Sequence, residues 1–240
     1  MPSVVVLGCG RSGTSIFGEL FDALPQYSYL FEPSLSDLAA ADDLSRPLAT
    51  KGPRHHDEAR HRDGLAFALP ELFDILPAPR RIYWMVRHPL DCISSLRPGI
   101  AANWSHVPRP ANWRDLQSEP LVIQCAAHWA HINSAGYAQI ADRARVVRYE
   151  DVVAGPMSVA TQILADLGLA DDADAAHAVA IWAARVNDNP GIDEAARQTH
   201  WLTTDHSVHV GRWRENLSAA EVAAVRHLID APARSFGYLL

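Results

Sequence analysis

The chain has 240 residues, the size of one large α/β domain with ample material for a buried core. Hydrophobic residues at 48% and charged residues at 20% exclude a disordered tail, a collagen-like repeat or a coiled coil as a description of the whole. A net charge of −7 excludes a protein whose main task is to coat nucleic acid or an anionic membrane. Lys51 is the sole lysine, so nearly every cationic side chain is the planar guanidinium that grips phosphate and sulfate bidentately.

The first predicted element is a buried parallel strand at Ser3 to Leu7, a β-branched apolar run that stops at a glycine cluster. The run is too short for a signal peptide or membrane anchor. From Thr14 the apolar spacing becomes helical, with Ile16, Phe17, Leu20, Phe21 and Leu24, and it ends before Pro25. Further buried strands are expected at Tyr27 to Phe31, Ile82 to Val86 and Arg145 to Tyr149, their carboxyl ends sharing one sheet edge. Pro120 suits the first turn of a long helix with Leu121, Cys125, Trp129, Ile132, Gly136 and Ile140 inward. Gly155-Pro156 opens another, with Val159, Ile163, Leu164 and Leu167 inward. Ser218 and Glu221 read as a capping box for a terminal helix. Two stretches, about Ser45 to Gly64 and about Arg97 to Glu119, break the regularity and are expected as loops over the sheet edge, where open α/β sheets bind ligands.

Cys9, Cys92 and Cys125 are odd in number and widely spaced, which predicts reduced thiols, no disulfide framework and a cytoplasmic protein. The Arg54 to Arg62 stretch holds His55, His56 and carboxylates, but its spacing fits no usual zinc pattern, so no metal is expected. His128 and His131 are expected on a helix surface. Trp104 and Trp113 are equally suited to an acceptor pocket and to lid packing, and Trp129 to the core.

The run from Gly8 to Ser15 joins a strand to a helix N-terminus, where free amides and the helix dipole favour an anion. It has the frame of a nucleoside-triphosphatase loop, yet Thr14 stands where the lysine for the terminal phosphates belongs. The strand at Ile82 also ends in Arg87 rather than an acid for Mg²⁺. Gly8, Gly10 and Gly13 equally spell a dinucleotide fingerprint, with Glu32 near the position of its ribose-binding acid. Against an NAD(P)-dependent oxidoreductase stands the crowd of side-chain donors at Arg11, Ser12, Thr14 and Ser15, which suits a small, concentrated anion. A non-catalytic nucleotide-binding module is the other alternative.

A second basic element runs from Arg81 to Ser95. Together the two segments resemble the sulfotransferase family that uses 3′-phosphoadenosine 5′-phosphosulfate (PAPS). Its first motif, [KR]-S-G-T-[TS], is met by Arg11 to Ser15; its second, Arg-x-Pro-x-Asp followed by a serine, by Arg87, Pro89, Asp91 and Ser95. Arg148 to Pro156 resembles its RYEDL…P segment, and Gly211 to Arg214 its GRWR segment. The resemblance implies a single P-loop-like sulfotransferase domain over residues 1–240, a central parallel sheet flanked by helices, and in-line sulfuryl transfer without metal. It implies that Arg11, Ser12, Gly13, Thr14 and Ser15 bind the 5′-phosphosulfate and that Arg87 and Ser95 bind the 3′-phosphate. Glu32 is the candidate base, with His55 and His56 as substitutes. The family's lysine in a K-x-P context is absent, Phe67 to Pro70 standing there, and Lys51 in the preceding loop is its candidate replacement. His206 and Ser207 stand where some relatives carry an Arg-Lys-Gly contact, so Arg212 is the candidate for that third contact. The expected partners are the nucleotide donor and a small-molecule, glycan or natural-product acceptor, with neither nucleic acid nor a membrane span.

Overall fold

Strand β1 (Ser3–Gly8) leads through the glycine loop into α1 (Thr14–Ala23), then β2 (Ser28–Phe31), α2 (Leu35–Ala39), β3 (Leu48–Lys51), α3 (Leu69–Ile75) and β4 (Arg80–Val86). After it come α4 (Pro89–Ala101), α5 (Trp113–Leu116), α6 (Leu121–His131), β5 (Ala144–Arg148), α7 (Tyr149–Ala154), α8 (Pro156–Leu167), α9 (Ala173–Val186), α10 (Trp213–Asn216) and α11 (Ala219–Ser235). The computed structural model describes residues 1–41, 46–52, 69–76, 78–188 and 205–240.

The five strands form one sheet in the order β2-β3-β1-β4-β5, and every pairing is parallel. Successive side chains of a strand point to opposite faces, and this period divides the core in two. Val5, Leu7, Ile82, Trp84 and Val86 face the cluster completed by α4, α6 and α11. Val4, Val6, Tyr83 and Met85 face the cluster completed by α1, α8 and α9. Each fully buried aliphatic side chain contributes about 1.5–3 kcal/mol, so β1, apolar on both faces, is anchored at the centre. The helix starts are local: Pro89 begins α4, and Ser218 and Glu221 cap α11 reciprocally, as expected.

The structure departs from the sequence reading in four places. The stretch expected as a loop from Ser45 contains β3, only four residues long, too short to show a period and made a strand by pairing on both sides. Helix α4 runs on past Arg97 to Ala101 with Pro98 inside it, and Trp104 and Trp113 beyond it are core residues, 1% and 6% exposed. The long helix expected to reach Ile140 ends at His131 and passes into a π-helical turn, Ile132–Gly136. There Asn133 Nδ2 donates to Trp129 O while its Oδ1 accepts from Trp84 Nε1, a side chain inserted into the helical ladder. Tyr149 begins α7 instead of ending β5. The cysteines are free and buried. The Arg54 to Arg62 stretch, with His55 and His56, lies outside the described residues. Among the described residues no helix is long and apolar enough to cross a membrane.

Candidate active site

The carboxyl ends of the parallel strands open into a cavity of about 1150 Å³ lined by the glycine loop, Glu32, Lys51, Arg87, Ser95 and Arg212, among others. The loop needs its last glycine. Gly13 has φ +88°, and a Cβ there would come within 2.4 Å of Tyr149 Cδ2. Arg11 is also left-handed, at φ +67°, an unfavourable region for a side-chain-bearing residue that concentrates at functional sites. Gly13 precedes the first turn of α1, whose leading amides have no intrahelical acceptor. Thr14 and Ser15 line the cavity. Ser12 is not among the lining residues: it is fully buried, with its hydroxyl 3.5 Å from Cys92 Sγ and its amide donating to Cys9 O.

Strand β4 delivers Arg87 to the same rim. Its guanidinium donates to Arg11 O at 3.2 Å and to His209 O at 2.5 Å, and it lies 4.6 Å from the centre of the Tyr149 ring. Among the described residues its Nε is buried without a partner, leaving donor capacity for an anion. One helical stretch on, Ser95 Oγ accepts from Arg11 Nε at 3.0 Å. The sequence motifs turn out to be one another's partners. Buried Asp91 accepts from the Gly211 and Trp213 amides at 2.7 and 2.8 Å, which ties the GRWR segment to α4. Glu150 accepts from the His88 amide and from the Tyr238 hydroxyl at 2.8 and 2.7 Å.

Glu32 follows β2 at φ +44°, so the candidate base shares the strained conformation of Arg11. Its carboxylate forms an ion pair with Lys51. Lys51 is thus not a loop residue as expected but the end of β3, with Nζ 4.6 Å from the Phe31 ring centre. Arg212 lines the cavity beside His209, its Nη1 3.5 Å from His209 Nδ1. Burial, then the Arg87, Arg212 and Arg11 charges, lower the His209 pKa. The Tyr149 hydroxyl donates to His206 O at 3.1 Å and is pushed up to about 12 by burial.

Among the cavity residues that sequence reading missed are His106 and His209, because a histidine in an irregular segment or a single 3-10 turn carries no period. It also misplaced His128, which is fully buried rather than on a helix surface, its Nδ1 accepting from Trp104 Nε1 at 3.3 Å. Among the described residues no cluster of His, Cys, Asp or Glu is arranged to hold a metal ion.

Residues 64–173 match the family described as the sulfotransferase family. None of the curated proteins matches the sequence significantly. The fold is similar to the sulfotransferase domain of an olefin synthase from Synechococcus PCC 7002, at TM-score 0.59 and 18% identity, with 100% of this chain and 96% of that one covered. It is similar to a sulfotransferase from Mycobacterium avium, at TM-score 0.57 and 15% identity, covering 99% and 77%. A mouse sulfotransferase complexed with PAP gives TM-score 0.56 and 14% identity, covering 98% and 85%. The middle of the sequence thus matches the sulfotransferase family model, and the whole length has the fold of solved sulfotransferases.

Proposed function

We propose that the protein moves a sulfuryl group from PAPS to a hydroxyl or amine of a small-molecule, carbohydrate or natural-product acceptor. The observation that carries this reading is the meeting of two cationic elements, Arg11 in the glycine loop and Arg87 with Ser95 beyond β4, in one cavity. The spare Arg87 Nε and the free amides at the start of α1 fit an anionic nucleotide with charge at both ends. Arg87 and Ser95 take the 3′-phosphate, with Arg212 as a further contact. Arg11, Gly13, Thr14 and Ser15 take the 5′-phosphosulfate.

In the transfer the bond from sulfur to the bridging phosphate oxygen breaks as the acceptor oxygen bonds to sulfur. Arg11 and the α1 amides oppose the charge growing on the departing oxygen, the kind of donor whose removal costs about 10²–10³ in rate. Glu32 takes the acceptor proton, and Lys51 beside it keeps a cation near the sulfuryl oxygens. The dinucleotide alternative is weakened by topology. In that fold the ribose-binding acid ends the strand next to the first, whereas here β3 separates β2, with Glu32, from β1.

Calorimetric titration with adenosine 3′,5′-bisphosphate and with NADH tests the donor class. We expect the bisphosphate to bind and NADH to bind far more weakly; preference for the dinucleotide overturns the reading. Incubation of enzyme and labelled PAPS with an extract, followed by mass spectrometry for an added sulfuryl group, identifies the acceptor.

A further inference from the structure

The loop after α4 is strained at two successive residues. Asn103 and Trp104 have φ +54° and +52°, a conformation that a bulky residue keeps only when its surroundings impose it. Trp104 is held by burial, by its amide donating to Ile100 O at 2.8 Å and by Arg109 Nε donating to its carbonyl at 2.9 Å. Two residues later this backbone delivers the His106 imidazole into a slot between the glycine loop and α4. A Cβ on Gly10 would come within 2.8 Å of His106 Nδ1, and one on Gly99 within 2.3 Å of Nε2. Two unfavourable backbone angles and two missing side chains therefore serve one placement.

The ring lines the cavity, and among the described residues neither nitrogen has a hydrogen-bond partner. The ring abuts Gly10, which adjoins Arg11 in the glycine loop, whereas His209 accepts from Arg87 at its carbonyl and has its Nδ1 3.5 Å from Arg212 Nη1. His106 therefore sits beside the loop assigned above to the 5′-phosphosulfate.

We propose that His106 is a catalytic residue at the reacting end of the cavity, donating a ring N–H to the sulfuryl group of the donor beside Arg11. The proposal rests on the PAPS reading above. Burial first, and then the neighbouring Arg11 charge, push the imidazole down to about 4, so at neutral pH it carries one donor and one acceptor. A neutral donor engages the sulfuryl oxygens without repelling Arg11 and Lys51.

Calorimetric titration of the wild type, His106→Ala and His106→Gln with PAPS and with adenosine 3′,5′-bisphosphate, which lacks the sulfuryl group, tests this. His106→Ala is expected to weaken PAPS binding about tenfold or more, the effect of losing a hydrogen bond to a charged group, while bisphosphate binding is unchanged. His106→Gln, which keeps an N–H, is expected to recover most of the loss. Equal weakening of both nucleotides makes the ring a support for the loop and overturns the proposal, as does unchanged binding of both. A wild-type protein that binds neither nucleotide overturns the donor reading and this proposal with it, an outcome distinct from the other two.

Discussion

Arg11 Nε and Ser95 Oγ, 84 residues apart in sequence, are joined by a 3.0 Å hydrogen bond. The glycine loop and the serine of α4 therefore meet, although each was assigned to a different end of the nucleotide. The Arg87 bond to Arg11 O braces the same corner.

Arg87→Ala removes two donated hydrogen bonds, to Arg11 O and His209 O, and the guanidinium proposed for the 3′-phosphate. Discrimination between adenosine 3′,5′-bisphosphate and adenosine 5′-monophosphate should shrink by about 1.5–3 kcal/mol, read by calorimetry. Arg87→Lys should not restore it, because a single ammonium cannot match the fork. Undiminished discrimination would take Arg87 out of the 3′ end.

Glu32→Gln preserves shape and removes the carboxylate that pairs with Lys51. Turnover should fall by about 10²–10⁴, the usual contribution of a general base, while bisphosphate affinity stays at the wild-type level. Steady-state sulfated product and a parallel titration measure the two quantities. Full turnover in this variant would transfer the role of base to another residue.

Gly13→Ala should destabilise the fold by about 1–3 kcal/mol, because a side chain is strained at φ +88° and its Cβ would collide with the Tyr149 ring. Urea unfolding reads the loss. An unchanged midpoint would mean that the loop relaxes without cost.

Acid should weaken the protein through His128. Burial, then the His106, His131 and Arg109 charges, hold this histidine well below its ordinary 6.5, so below that pH the unfolded chain binds a proton that the folded chain refuses. Stability rises with pH where the unfolded state binds more protons, so it is lost as pH falls below 6.5, by up to about 1.4 kcal/mol per pH unit. His128→Gln keeps an acceptor for Trp104 Nε1 and should flatten that slope by about one proton. Urea unfolding at a series of pH values from neutral to mildly acidic gives both slopes, and identical slopes would exclude His128 as the titrating group.

Much of the site was legible because its determinants are local. A β-branched run, a glycine cluster and a helical stripe occupy consecutive residues from Ser3 to Leu24, and β1, the loop and α1 follow from them. Arg87 was legible for the same reason, standing directly after an apolar strand. His106 was not, since its place depends on strain at Asn103 and Trp104 and on open space at Gly10 and Gly99, and no period in the sequence records either.

By itself, then, the sequence determined the strand, loop and helix that open the chain, the basic residue ending β4 and the capped terminal helix, because alternation, glycine backbone freedom and capping act over a few neighbouring residues. Tertiary structure alone decided that Leu48–Lys51 is a strand, that Asn133 opens the helical ladder toward Trp84, and that Lys51 pairs with Glu32. It also decided that Asp91 holds Gly211 from 120 residues away. The physical reason is the same in each case: a hydrogen bond or ion pair is satisfied by whichever partner the packed sheet brings within reach, and that partner is distant in the chain.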